Sequence, residues 1–384
     1  MALSLDEIPA VDQHCHAFRK GFERMTPQML RQSLTEATDA QVLEQHTPQT
    51  IAYRWALRQC AKRLGCATDE ETLVAARNRS IAQAGSAYTR HLLDDAGIAH
   101  LCVDTGLQPE HYQDTDTFAV SAARPVHPIL RLERFFEEQL PYCTSLDDLV
   151  DQTRQTLHAL RNDGTIAVKS IAAYRIGLAL EPGDPAAARS VFDALHQAAI
   201  QHPEHVRLSD PALLDFLLWE ALRCCADEAI PVQFHTGYGD PDADLRTASP
   251  LHLRRVLEDP DFHDLPVVLL HCYPYVREAG YLAAVYPQVF FDLSLASGHA
   301  PSLAEQLFEE AFALAPSSKL LFATDAHSLP EAYWLFARVQ RQALAMVLEK
   351  LMRNNWLTAE QSEGIAHQIL WRNACQLYGL PSLG

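Results

Sequence analysis

The sequence predicts an α/β fold, a (β/α)8 TIM barrel carrying a helical insertion after its first strand. Three observations predict it. Eight short apolar runs recur along the 384 residues, and each ends in polar or charged side chains. Amphipathic helical patterns lie between most of them. Near-continuous apolar strands alternating with helices are what a parallel sheet covered on both faces requires, and eight such units make a barrel. A doubly wound open sheet is the structural alternative. Its dinucleotide-binding form has little support, because no G-x-G-x-x-G follows the first run.

The elements follow in order. The runs are IPAVDQHCH (8–16), IAHLCVDTG (98–106), VHPILRLE (126–133) and TIAVKSIAAY (165–174), then IPVQFHTGY (230–238), PVVLLHCYP (266–274), VFFDLSLA (289–296) and KLLFATDAH (319–327). DPALLDFLLWEALRCCADEA (210–229) and PSLAEQLFEEAFAL (301–314) have helical periodicity and precede strands five and eight. Residues 18–92 break the rhythm. They are rich in Gln, Arg and Thr, helical in character, and too long for a simple βα connection. They read as an insertion at the top of the barrel, able to cover a site within a single domain over 1–384. The end of the chain, ILWRNACQLYGL, reads as a final amphipathic helix closing the barrel.

Composition narrows the function. Hydrophobic residues make up 48%, enough for a sizeable core. The net charge of −18 argues against a nucleic-acid partner, since phosphate neutralisation needs clustered Lys and Arg. No apolar run approaches twenty residues, so no membrane partner is expected. MALSLDEIPA is too acidic for a secretory signal. Nine scattered cysteines without a C-x-x-C read as free thiols in a reducing cytoplasm. The expected partner is a small-molecule substrate, with a homo-oligomer left open.

The strand ends carry the chemistry. Strand one ends in His14 and His16, strand four carries Lys169, strand five ends in His235, strand six in His271 and strand eight in Asp325. Barrel strands point their carboxyl ends to one face, so these six side chains are expected to converge. Residues i and i+2 of a strand project to the same side, so His14 and His16 can reach one ion, with Cys15 turned away. Imidazoles joined by a carboxylate form an N/O site suited to zinc or a similar divalent metal. Tyr174 and Arg175 follow strand four, Tyr238 and Asp240 follow strand five, and Tyr273, Tyr275 and Arg277 follow strand six. Arg175 or Arg277 could hold an acidic substrate through a two-pronged hydrogen bond. His327 has no assigned role. Glu331 and Trp334 are read as shaping a helix, and His91, His100, His127, His252, His263 and His299 as structural or surface groups.

This constellation resembles the amidohydrolase superfamily, in the branch called amidohydrolase 2. It is similar to the amidohydrolase-like domains that precede a glutamine-synthetase-like domain in some fungal and plant proteins. The resemblance rests on VDQHCH, VKSIAAYR, FHTGYGD, LLHCYPYVREAGYLAAVYP, FFDLS, FATDAHSLPEAYW and RNACQLYGL. No ligase domain is expected after Gly384. The resemblance implies that His14 and His16 bind the more buried metal, and that Asp325 contacts it and takes a proton from the attacking water. It implies a carbamate on Lys169 in two-metal members. A carbamate is anionic and can bridge ions, whereas an ammonium has only donors.

Two ligand sets stay open. One uses Lys169, His14, His16 and Asp325 on one ion, with Lys169, His235 and His271 on another. The other uses His14, His16, His235 and Asp325 on one ion, leaving Lys169 to substrate and His271 to a catalytic hydrogen bond. One or two ions per chain, most readily Zn2+, are therefore expected. The implied reaction is hydrolysis of a small amide or ester, with a carboxylate-bearing substrate in view. Non-oxidative decarboxylation and sugar-acid isomerisation are the alternatives on this fold.

Overall fold

A computed structural model describes residues 3–202 and 206–383. All eight apolar runs form strands: β1 (Ala10–Cys15), β2 (Ile98–Asp104), β3 (Val126–Arg131), β4 (Ala167–Ser170), β5 (Val232–Thr236), β6 (Val267–His271), β7 (Val289–Asp292) and β8 (Leu320–Leu321). They form one eight-stranded sheet in sequence order, the (β/α)8 barrel arrangement. Every residue of β1, β4, β5 and β6 is buried. This is why these segments read as apolar runs and not as an alternation.

The described residues fall into two compact units. The first comprises Met1–His127, Gly239–Pro241 and Asp292–Gly384; the second comprises Pro128–Tyr238 and Asp242–Phe291.

In the first unit, β1 runs parallel to β2, with Asp12 opposite Leu101 and Cys15 opposite Val103. Three residues on β1 thus span two on β2, a bulge that falls on Gln13 and His14. Regular pairing ends early in β8, yet the chain continues alongside β1. Gln13 donates its backbone N–H to Phe322 O (3.1 Å), Asp325 to His14 O (2.9 Å) and His16 to Ala326 O (2.9 Å). Polar side chains buried in this layer are matched. Asp12 Oδ1 accepts from Thr324 N (2.8 Å), Gln13 Nε2 donates to Asp292 Oδ2 (2.5 Å), and Tyr378 OH donates to Gln13 Oε1 (2.6 Å).

Residues 18–92 hold the helices Pro27–Gln32, Ile51–Leu64 and Glu70–Ala84, and Ser86–Asp95 begins within them. Thr26, Thr50 and Asp69 cap the first three. Arg77 fastens this segment to the long helix Pro330–Arg353. Its Nε donates to Glu331 Oε1 (2.7 Å), and its Nη1 donates to Phe22 O (2.7 Å) and Glu23 O (3.1 Å). Tyr88 OH donates to the same Glu331 oxygen at 2.8 Å. Trp334 Nε1 donates to Asp95 Oδ2 at 2.6 Å, so Glu331 and Trp334 serve packing, as the sequence suggests.

The closing segment is not one regular helix. A five-residue π-helical stretch, Gln368–Arg372, precedes the helix Asn373–Tyr378. Asn373 Nδ2 reaches Ser317 O and Leu320 O, both at 2.8 Å, tying the segment to β8.

In the second unit, β3, β4, β5 and β6 are parallel, placing Arg131 beside Lys169, Lys169 beside Gln233, and Thr236 beside His271. Gly237, just past β5, has φ +70°. A Cβ there would lie 2.1 Å from Tyr273 O, so the close approach of these two loops requires glycine. No helix among the described residues is long and apolar enough to cross a membrane.

Candidate functional site

In the first unit the structure brings His14, His16 and Asp325 together. His14 Nε2 and His16 Nε2 each lie 3.3 Å from Asp325 Oδ1, and the two rings meet edge to face with centroids 5.3 Å apart. All three residues are buried. Asp325 lies four residues beyond β8 with φ +53°, in the left-handed region that a non-glycine residue rarely adopts. The hydrogen bonds from its N–H to His14 O and from His16 N–H to Ala326 O hold it there. Strain of this kind collects where a side chain must be aimed. Cys15 turns elsewhere and donates from Sγ to Cys102 O at 3.4 Å.

Beneath the cluster, burial raises the Asp12 carboxyl to about 8, against the lowering effect of its Thr324 hydrogen bonds; Asp325 and Asp292 push it further up. Asp12 thereby anchors Thr324, the neighbour of Asp325.

Two nitrogens and one oxygen, mutually within 4.8 Å, form the one such group of three or more His, Cys, Asp or Glu donors among the described residues. Metal bonds of 2.0–2.1 Å at tetrahedral angles place donors about 3.4 Å apart. The 3.3 Å spacings from each imidazole to Asp325 fit a divalent ion.

Further polar groups surround the cluster. His327 Nδ1 lies 2.7 Å from Ser328 Oγ, which lies 3.1 Å from Tyr112 OH. Burial, with help from His16, lowers the His327 imidazole to about 4, and Asp325 partly offsets this. His299 is buried edge-on against Phe336, with Nδ1 3.8 Å from Glu36 Oε1. Burial raises Glu36 to about 8, and Asp325 and Asp240 add to the effect. Sequence reasoning assigned no role to Glu36, Tyr112 or Ser328, and read His299 as structural or surface. Glu36 and Tyr112 lie away from strand ends, and no short motif marks them.

In the second unit the structure groups the residues expected at the ends of strands four to six. The rings of His235 and His271 have centroids 4.5 Å apart, and Tyr174 packs on His235 at 4.3 Å. Lys169 on β4 is 2% exposed. His271, at the end of β6, has φ +68°, a second left-handed residue at a strand end. Tyr238 donates its N–H to Tyr273 O at 2.6 Å. Arg175 pairs with Glu137, Nη2 to Oε1 at 3.1 Å. Arg277 stands exposed in the helix Val276–Val285.

Residues 148–380 match the Amidohydro_2 family model, described as amidohydrolase. A structure from Lactobacillus casei ATCC 334, described as a metal-dependent hydrolase, superposes with a TM-score of 0.88 at 33% identity over 98% of this chain and 96% of that one. A uronate isomerase structure from Thermotoga maritima gives a TM-score of 0.68 at 14% identity over 97% of this chain and 95% of that one, a likeness of fold. The FluG protein of Emericella nidulans is 29% identical over 97% of this chain. The chain spans 46% of that relative's length.

Proposed function

Because the chain belongs to the amidohydrolase family, we propose that it is a metal-dependent hydrolase whose substrate is a small amide or ester. The observation that carries the reading is the buried convergence of His14, His16 and Asp325. These three side chains would hold the divalent ion, with Zn2+ the best match to two imidazoles and a carboxylate. Bound there, the ion supplies Lewis acidity, bringing water towards ionisation at neutral pH and polarising a carbonyl.

The protein's own groups do the rest. Asp325 accepts a proton from the attacking water and delivers it to the leaving nitrogen or oxygen. Its left-handed backbone fixes that carboxylate in place, so little reorganisation accompanies the transfer. To His271 the proposal gives a hydrogen bond to the substrate carbonyl oxygen. To Lys169, 2% exposed on β4, it gives a carbamate, the anionic form in which a lysine side chain can ligate a cation. Residues 18–92 act as the cover that keeps bulk water out. All nine cysteines are free, which suits a reducing cytoplasm.

The test is turnover of an amide and ester panel by metal-loaded protein and by the same protein after chelation. The proposal expects activity that disappears with the metal, returns on adding Zn2+, and falls at least about 1000-fold in Asp325→Asn, the scale of a lost proton-transfer group. Incorporation of 18O from water into the acid product marks hydrolysis. Release of CO2, or aldose–ketose interconversion of a sugar acid, without solvent 18O would replace it with decarboxylation or isomerisation.

A further inference from the structure

Arg175 is held in an unusual state for a cation. Its side chain is 10% exposed, and a single carboxylate oxygen serves it, Glu137 Oε1 at 3.1 Å from Nη2. That oxygen is shared, because it also accepts the backbone N–H of Leu208 at 2.9 Å. Nε and Nη1 are buried and donate to nothing among the described residues. A guanidinium carries five N–H donors, so three of them, one on Nε and two on Nη1, have no acceptor among the described residues. Buried donors are matched in the great majority of cases, and unmatched ones on a charged group are the most costly.

The charges around it are mixed: Glu137 and Glu133 act on Arg175 as opposite charges and Arg207 and Arg131 as like ones, while burial holds the Glu133 carboxyl above its ordinary range. The position is specific. Arg175 follows β4 directly after the turn Ala172–Tyr174, and the Tyr174 ring packs on His235 at the end of β5. In barrels of this type the carboxyl ends of the strands are where substrates bind.

We propose that Arg175 is the residue that recognises substrate, and that the substrate carries a carboxylate, which the Nε–H and Nη1–H groups receive. This deepens the hydrolase reading by naming the substrate class, and rests on it for the reaction but not for the binding. Glu137 orients the guanidinium from one side and leaves the other donors to the ligand. A planar carboxylate, not a tetrahedral phosphate, suits donors this deeply enclosed.

The experiment is calorimetric titration of the full-length, metal-loaded protein with glutarate, with its neutral analogue glutaramide and with inorganic phosphate. Glutarate should bind at least about tenfold more tightly than either. Arg175→Met should weaken glutarate about 10- to 100-fold, the scale of lost charge-assisted hydrogen bonds, with metal content unchanged. Arg175→Lys keeps a charge beside Glu137 but loses the donor geometry, so it should fold and still bind glutarate about tenfold more weakly. His16→Asn, depleted of metal, should keep glutarate affinity within about threefold.

Glutarate affinity unchanged in both Arg175 variants, or in Arg175→Lys alone where Arg175→Met does not fold, overturns the proposal. So does affinity lost in His16→Asn but retained without Arg175, which would send the carboxylate to the metal. Phosphate binding more tightly than glutarate also overturns it. A wild-type protein that takes up no metal would defeat the hydrolase reading, while the Arg175 titrations would still decide this inference.

Discussion

Arg77→Met is a sharp test of how the 18–92 segment is held. Arg77 is fully buried, Glu331 is 4% exposed, and their contact is a short one, 2.7 Å. The guanidinium also serves the carbonyls of Phe22 and Glu23 and lies 5.4 Å from the Tyr88 ring centroid. Methionine keeps much of the volume and removes every donor, leaving the buried Glu331 carboxylate with only Tyr88 OH. Removing one partner of a buried pair costs about 3–5 kcal/mol. At about 2.1 cal/mol/K per residue, a chain of 384 residues shifts about 1.2 °C per kcal/mol, so that is a Tm fall of roughly 4–6 °C. The double variant Arg77→Met/Glu331→Leu should recover most of the loss, because replacing both partners with apolar groups is often neutral. Urea unfolding of the four proteins in a double-mutant cycle gives the coupling energy, expected above about 2 kcal/mol. A loss below about 1 kcal/mol in the single variant, or a double variant no more stable than the single, would refute the reasoning.

Other outcomes follow from the same structure. Gly237→Ala combines a Cβ contact of 2.1 Å with φ +70°, so it should cost about 2–5 kcal/mol in urea unfolding; a neutral result would mean that the two loops separate freely. Cys15→Ala should cost about 1–3 kcal/mol through lost packing and leave metal content intact, measured by unfolding and elemental analysis side by side. His127 lies 2.8 Å from His100, ring nitrogen to ring nitrogen, and burial, then His100, lowers it to about 4. Its folded value lies below the unfolded value near 6.5, so the unfolded chain binds more protons between those limits. The contribution is therefore complete above pH 6.5 and lost as pH falls towards 4. His127→Gln should flatten the fall in urea midpoint between pH 7 and pH 4.5, and an unchanged slope would contradict the assignment.

β1, β4, β5 and β6 were legible because a parallel sheet buries both their faces, which turns such a strand into an apolar run. The grouping of His14, His16 and Asp325 was legible because they stand at or just past the ends of such runs, and a strand end has a fixed direction. Glu36 and Tyr112 were not. Glu36 lies in the irregular stretch after the helix Pro27–Gln32, where no periodicity indicates what its side chain meets. The Arg175–Glu137 pair joins residues from different elements, and no spacing rule links them. The π-helical stretch at Gln368–Arg372 was hidden for a different reason: its sequence keeps the apolar stripe of an ordinary helix.

Elemental analysis of the purified chain, with His14→Asn, His16→Asn and Asp325→Asn beside it, tests the central claim most directly. The account predicts at least one divalent ion per wild-type chain, and loss of most of it in every variant that keeps a wild-type circular dichroism spectrum. Metal retained at wild-type stoichiometry after any of these three side chains is replaced would contradict it.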